Sequence, residues 1–578
     1  MRPLKTLLCL SLAVGALSAA SRPNVILINV DDQGYGDLGC TGNSAIQTPH
    51  IDQLYSESVR FTDYHVNAVC APSRAALMAG QNAAKVGVWH TLGGNEIVRA
   101  DVTMMPEYFQ RGDYATMMVG KWHIGDNYPF RPEDRGFDQV YRIGGGNPGQ
   151  VPDYWGNGIF DTHYWDGTQW TASKGFCTDV QFDVSMDFIR KHKEEPFFLY
   201  LATTAVHSPV GAPDEYIAMY PQLEGKVQAF YAMVSNLDTN VGRLREFLNA
   251  EGLSENTILV FTTDNGSACD KKGEANTYNA NMRGKKGSTY DGGHRVPLFI
   301  HWPQGGMASA TDIDALVAHY DLLPTFAEAC ELPIPADSDL DGTSLLPLLK
   351  DDSSAFDNRV VVVEAKVNKR DVRYDSSAIM KGPWRLTNGT KELYNIQQDP
   401  SQTEDVAKQH PELVQNLRES YDAWYDAISP RFVEEARIII GDTNAPTDIL
   451  NSMDVRDRKG EGAGKQIWNQ KGVATGLTYH GVWKLEVAEA GDYTFKLRRY
   501  PPESGLNFSS VPHKAKKVVY TQAQLKVGAH DLTKPVGMSA ESVDFTVKLE
   551  AGPVELDANL TNADGQTTSA YYVEVARK

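Results

Sequence analysis

The sequence predicts an α/β protein with a mostly parallel sheet, followed by a small C-terminal α+β unit and an appended all-β sandwich. Three observations carry that prediction. Short apolar runs bounded by polar residues recur through the first part of the 578 residues, as buried parallel strands do. Helical segments alternate with them, the pattern of a layered α/β domain. From about Pro430 the chain changes to period-two alternation with regular turns, which marks antiparallel β structure.

The expected divisions are residues 1–20, 21–355, 356–429 and 430–578. The first carries cationic Arg2 and Lys5, an apolar run from Leu7 to Leu17, and small residues Ser18, Ala19 and Ala20. That is the layout of a secretory signal peptide cut after Ala20, so the mature chain is expected to be exported, periplasmic or extracellular. The run is too short for a mature membrane anchor, and no later stretch is long and apolar enough to be one.

Four runs build the core in order. "NVILINVDD" spans Asn24 to Asp32, "YATMMVGKWH" Tyr114 to His123, "FFLYLATTAVHSP" Phe197 to Pro209 and "TILVFTTDNG" Thr257 to Gly266. Each ends in residues able to do chemistry: Asp31 and Asp32, Lys121 and His123, His207, Asp264 and Asn265. Ligands in open α/β sheets bind outside the carboxyl ends of the strands, so four such endings predict one site along that edge. Before the fourth run, Val227, Phe230, Tyr231, Val234, Leu237, Val241, Leu244 and Leu248 recur at helical spacing, with Gly252 suited to the stop. "DLDGTSLLPLLKDDSS" reads as a closing loop and helical turn, and residues 356–429 end in a helix through "PELVQNLRESYDAWYDAI". In the last unit "VWKLEVAEAGDYTFKLRR" is expected to turn at Gly491-Asp492 and "SVDFTVKLEAGPVELDANL" at Gly552-Pro553, with "AYYVEVARK" closing the sandwich.

A net charge of -19 at pH 7 argues against a nucleic-acid partner, because phosphate binding wants a basic footprint. It leaves room for an anionic small substrate, since local cations or a metal reverse the field at one site. Removing Cys9 with the leader leaves Cys40, Cys70, Cys177, Cys269 and Cys330. An odd and sparse set is no disulfide scaffold, so at least one thiol stays unpaired or is chemically altered. Cys70 is the natural candidate. It opens "CAPSRAALMAG", where the run after Pro72 reads as the start of a helix. Near a helix N-terminus Cys70 and Arg74 would favour an anion, and the thiol pKa is expected to be depressed.

"CAPSRAALMAG" resembles the signature of the type I sulfatases, the formylglycine-dependent family of the alkaline phosphatase superfamily. The likeness runs over roughly Ser21 to Ser429. "NVILINVDDQGYGDLGCTGN" is similar to that family's opening strand, "TTDNG" to its second ligand pair, and "GKWHIG" and "AVHSP" to its lysine and histidine segments. "GKKGSTYDGGHRVP" is similar to its lysine loop and "KELYNIQQDPSQTEDVA" to its terminal hairpin. These motifs fall in the family's order, which single matches do not.

The resemblance implies a sulfatase-type α/β/α sandwich and a sulfuric ester hydrolase. It implies that Cys70 is oxidised to formylglycine by a maturation enzyme that reads Pro72 and Arg74. It implies metal ligands Asp31, Asp32, Asp264, Asn265 and residue 70, with catalytic roles for Cys70, Arg74, Lys121, His123, His207 and Lys286. An all-oxygen shell suits a hard cation, Ca²⁺ first with Mg²⁺ as the alternative, and no Cys or His cluster has zinc spacing. On that reading a hydrated aldehyde activated by the metal and Arg74 attacks sulfur, and Lys121 and Lys286 steady the equatorial oxygens. His207, assisted by Lys286, protonates the leaving alcohol, and His123 helps regenerate the aldehyde as sulfate departs.

An exported enzyme with an extra β-sandwich points, by family analogy, to a sulfated glycan or polysaccharide. Trp89, His90, Tyr154, Trp155, Trp165 and Trp170 lie in loops between core strands, placed to stack on sugars or to pack at the rim. The sandwich reads as a cover for the catalytic domain, with carbohydrate binding as the alternative. Two other functions stay open at this point. One is a phosphonate or phosphate ester hydrolase of the same superfamily, the other a non-catalytic glycan-binding protein whose Cys70 is never converted.

Overall fold

A computed structural model describes residues 22–269, 278–365, 371–456, 466–512 and 515–578. The expected signal peptide lies outside the described residues, and no described helix is long and apolar enough to cross a membrane.

Five strands form the centre of the main sheet: β1 (Asn24–Val30), β2 (Ala115–Gly120), β3 (Gln139–Arg142), β4 (Phe197–Ala202) and β5 (Thr257–Thr263). They lie in the order β5-β1-β4-β2-β3, and every neighbouring pair is parallel. Ile28 of β1 stands opposite Leu201 of β4 and Phe261 of β5, so the carboxyl ends of these strands are level. Antiparallel pairings beyond both ends of this centre give a mixed ten-stranded sheet.

Both faces of the central strands are covered because apolar residues occupy odd and even positions alike. Successive side chains of a strand point to opposite faces. Val25 and Leu27 pack with Ala71, Ala75 and Met78, while Ile26, Ile28 and Val30 pack with Phe182, Leu237, Val241 and Leu244. The first layer therefore includes α1 (Cys70–Ala79), and the second α2 (Cys177–His192) and α3 (Gly225–Ala250). Each fully buried Val, Leu or Ile in these layers contributes about 1.5–3 kcal/mol. Helix α1 starts at Cys70 itself, two residues ahead of Pro72, after an extended Val69. It stops at Gly80, whose φ of 63° lets its amide reach Ala76 O.

Beyond this domain, strands Val361–Glu364, Ser377–Lys381, Trp384–Thr387 and Glu392–Asn395 form an antiparallel sheet. The helix Pro411–Ile428 lays Val414, Leu417, Tyr421 and Tyr425 against Ile379, Leu386 and Leu393. The C-terminal region is a β structure of two further sheets around Trp483, Phe495, Phe545 and Val573, with a short α-helix, Gln470–Thr475. Its turns fall slightly earlier than expected, because Gly491 already pairs with Leu549 and Gly552 already pairs with Val487.

That region is seated on the α/β domain. Ile97, Phe130 and Val151 enter its core. The Tyr572 hydroxyl donates to Val151 O at 2.9 Å, and Gln470 Nε2 donates to the carbonyls of Gln150, Asp153 and Tyr154 at 3.0–3.1 Å. Asn127 Nδ2 donates to Asp448 Oδ1 at 2.6 Å. The loop after β3 is thus held from behind by the sandwich.

Candidate active site

The level strand ends are laced together by their own backbone. Asp31 N donates to Ala205 O at 3.0 Å, Val206 N to Asp31 O at 2.7 Å and Asp264 N to Val30 O at 3.1 Å. Asp32 and His123 are held in the left-handed region, at φ 62° and 65°. Non-glycine residues pay for that conformation, and it persists where packing over-determines the direction of a side chain.

The side chains then pair. Lys121 Nζ donates to Asp31 Oδ2 at 2.8 Å. Arg74 donates to Asp264 Oδ2 from Nε at 2.9 Å and approaches the same oxygen with Nη2 at 2.7 Å, while its Nη1 donates to Lys121 O at 2.8 Å. Asp264 Oδ1 accepts from Asp32 N at 3.1 Å. Asp32 Oδ1 accepts from Asn265 Nδ2 at 2.9 Å and from Lys286 Nζ at 2.5 Å. His207 Nε2 stands 3.5 Å from Asp32 Oδ2. Cys70 Sγ lies with a carboxylate oxygen each of Asp31 and Asp264, all three atoms within 4.8 Å of one another. His123 stands apart from these pairs, its Nε2 donating to Thr91 O at 3.2 Å. These contacts join nine of the ten candidate catalytic and metal-binding residues, and His123 follows Lys121 by two residues at the same strand end. Cys70, Arg74 and Lys121 are closed off, whereas the side chains of His207 and Lys286 are 16% and 23% exposed and form the mouth.

Burial and neighbouring charge pull adjacent groups apart. Burial pushes the Asp31 carboxyl up, and the Lys121 ammonium 2.8 Å away opposes it. Against the same burial penalty, Lys286 and His207 hold Asp32 below the usual carboxylate range. Burial drives His207 down to about 4 and His123 well below the ordinary imidazole value, with Lys121 and Arg74 adding to the effect at His123. The thiol departs from expectation: burial pushes Cys70 up, and Lys121 and Lys286 do not offset it.

The donor set fits a hard divalent cation. Asp31 Oδ1 and Asn265 Oδ1 are buried with no hydrogen-bond partner, beside the carboxylates of Asp32 and Asp264. Buried acceptors are seldom left unpaired, and oxygen ligands of this kind are what Ca²⁺ or Mg²⁺ takes. Three carboxylates are matched by the three cations Arg74, Lys121 and Lys286, so a dication would turn the site positive and attract an anionic ester.

Two supporting features were not visible as motifs. Tyr200 sits in β4 with its hydroxyl 3.4 Å from Arg74 Nη1 and accepting from Asn29 Nδ2 at 2.9 Å. A phenol in an otherwise apolar, fully buried strand is its one sequence signal. Gly146 packs so closely that an added Cβ would lie 2.5 Å from His123 Cε1. Among the loop aromatics, Tyr154 stacks on His163 at 3.9 Å and Trp155 meets Tyr500 edge-on at 5.0 Å, so both are used in packing.

Residues 23–332 match the family model described as Sulfatase, and residues 285–424 the one described as N-sulphoglucosamine sulphohydrolase, C-terminal. The N-acetylgalactosamine-6-sulfatase of Rattus norvegicus is 30% identical over 368 residues, 58% of this chain and 68% of the relative. The N-acetylgalactosamine-6-O-sulfatase of Bacteroides thetaiotaomicron is 28% identical over 489 residues, 69% of this chain and 92% of the relative. The crystal structure of Ps i-CgsB in complex with k-i-k-neocarrahexaose is similar at a TM-score of 0.63 and 31% identity, over 70% of this chain and 93% of that one. Neither family match extends beyond residue 424.

Proposed function

The chain belongs to the sulfatase family and is a sulfuric ester hydrolase, and from that premise we propose that its substrate is a sulfated glycan. We place the nucleophile at residue 70, oxidised to formylglycine, and a divalent cation, Ca²⁺ before Mg²⁺, between Asp31, Asp32, Asp264 and Asn265. One observation carries the reading: Cys70 Sγ sits among the buried carboxylate oxygens of Asp31 and Asp264. Formylglycine would put an oxygen at this position, and a hard cation takes oxygen ligands.

When present, the dication supplies Lewis acidity, and formylglycine supplies the oxygen nucleophile that the thiol does not. The chain's own residues do the rest. Arg74, anchored on Asp264 and Lys121 O, orients the start of α1 and keeps positive charge beside residue 70. Lys121 from below and Lys286 from the mouth place ammonium groups where charge builds on sulfate oxygens. His207, at the open side, is positioned to handle the proton of the departing alcohol. His123, buried two residues on from Lys121, is assigned the remaining proton transfer at residue 70.

Cys70 is 3% and Arg74 0% exposed, with Pro72 buried between them. A maturation enzyme therefore reads this segment before the chain folds. Sulfated glycans enter the reading through the relatives, two of which are named for sulfated N-acetylgalactosamine. The test is sulfate release from algal and animal sulfated polysaccharides and their oligosaccharides, beside matched aryl sulfate and aryl phosphate esters. Release from a glycan, abolished by a chelator and restored by Ca²⁺, is expected. Cleavage of the phosphate ester alone overturns the reading.

A further inference from the structure

The family matches stop before the sandwich, yet the sandwich closes a cavity of about 210 Å³ against the α/β domain. Asp126, Trp165 and Trp170 line it from one side, and Thr447, Glu503 and Tyr572 from the other. The glycine run Gly144–Gly146 links the lining of this cavity to His123. Gly146 faces the His123 ring at the contact described above. Its neighbours face the other way: Gly145 N donates to Asp126 Oδ1 at 3.1 Å and Gly144 N to Asp153 Oδ1 at 3.2 Å, and both carboxylates line the cavity. Three consecutive residues thus contact both the cavity's carboxylates and His123.

The chemistry of the cavity is specific. Trp165 and Trp170 are half-buried and meet edge to face at 5.8 Å, and Trp165 is fixed by its Nε1 donating to Glu133 Oε1 at 3.0 Å. Flat apolar faces beside acceptor oxygens match the C–H face and hydroxyls of a sugar ring. Both arginines of the lining are already engaged, Arg142 with Asp126 and Glu133 at 3.3 Å and Arg131 with Asp134 at 2.7 Å. With both arginines tied up, the lining offers no unpaired cation to a sulfate group.

We propose that this interdomain cavity is a glycan subsite that takes an unsulfated sugar residue of the substrate chain, so that the sandwich contributes to choosing which sulfated unit reaches residue 70. The proposal rests on the sulfated-glycan reading given above.

The experiment is a glycan array of sulfated and unsulfated oligosaccharides, from disaccharides to octasaccharides, probed with the full chain, together with sulfate release from the same compounds. Trp170→Ala removes one aromatic face, and Thr447→Trp fills the cavity from an exposed position on the sandwich edge. Chains carrying an unsulfated neighbour should bind, and each variant should weaken them about tenfold. The kcat/KM ratio of hexasaccharide to disaccharide should fall by a similar factor. Binding equal in wild type and both variants, binding restricted to fully sulfated chains, or no binding at all overturns the subsite. Variant-sensitive binding without sulfate release from any compound supports the subsite and contradicts the substrate reading instead.

Discussion

Lys121 Nζ lies 2.8 Å from Asp31 Oδ2, and both side chains are wholly closed to solvent. Arg74 and Asp264 repeat the arrangement at 2.7 Å, also without exposure. The carboxylates that would hold a cation are therefore pre-set by buried cations of the protein, each of which becomes costly when its partner is removed.

Lys121→Ala leaves Asp31 buried without its ammonium partner. Removing one member of a buried pair costs about 3–5 kcal/mol. In chelator-treated protein, urea unfolding should show a loss of that order. With excess Ca²⁺ the loss should shrink, because the cation takes over neutralisation of Asp31. Equal losses in both conditions would contradict the placement of the cation at Asp31.

Tyr200→Phe removes the hydroxyl that accepts from Asn29 and lies 3.4 Å from Arg74. A buried donor left unsatisfied costs about 1–3 kcal/mol. Because Arg74 loses a contact that sets its position, kcat should also fall, by up to about tenfold. Full activity in a destabilised variant would reduce Tyr200 to a packing residue.

Gly146→Ala places a methyl group 2.5 Å from His123 Cε1. The ring has to move, while the strands that build the sheet are untouched. Turnover should fall by about tenfold or more with a small change in Tm. Unaltered kcat would mean that the position of His123 is immaterial.

His319 gives a pH prediction away from the site. Its Nδ1 donates to His65 O and its Nε2 accepts from Asn67 Nδ2, both at 3.1 Å. Burial pushes its pKa down to about 3 from the ordinary 6.5. Between those values the unfolded chain binds a proton that the folded chain does not, so this residue's contribution to stability is lost as pH falls from 6.5 towards 3. The slope from one such group reaches about 1.4 kcal/mol per pH unit. His319→Gln should flatten the pH dependence of the unfolding free energy between about pH 6 and 4. An unchanged slope would show that His319 is already protonated in the folded protein.

What the sequence reveals of this site follows from where its residues stand. Asp31, Asp32, Lys121, His123, Asp264 and Asn265 each follow an apolar strand directly, so local periodicity places them at a common edge before any contact is known. Helix α3 is legible for the same reason, with its apolar spacing borne out over Gly225–Ala250. Tyr200, the Gly146–His123 contact and the sandwich-lined cavity act through residues distant in sequence, which no period or spacing encodes. The thiol pKa is not legible in this way, because a helix start is a local feature, while burial comes from the whole fold and is the largest influence at Cys70.

The central claim is most directly tested by mass spectrometry of the peptide carrying residue 70, taken from active protein made in its native host. The account predicts an aldehyde, or its hydrate, in place of the Cys70 thiol, in a fraction that tracks specific activity across preparations. An intact thiol in fully active protein would contradict it.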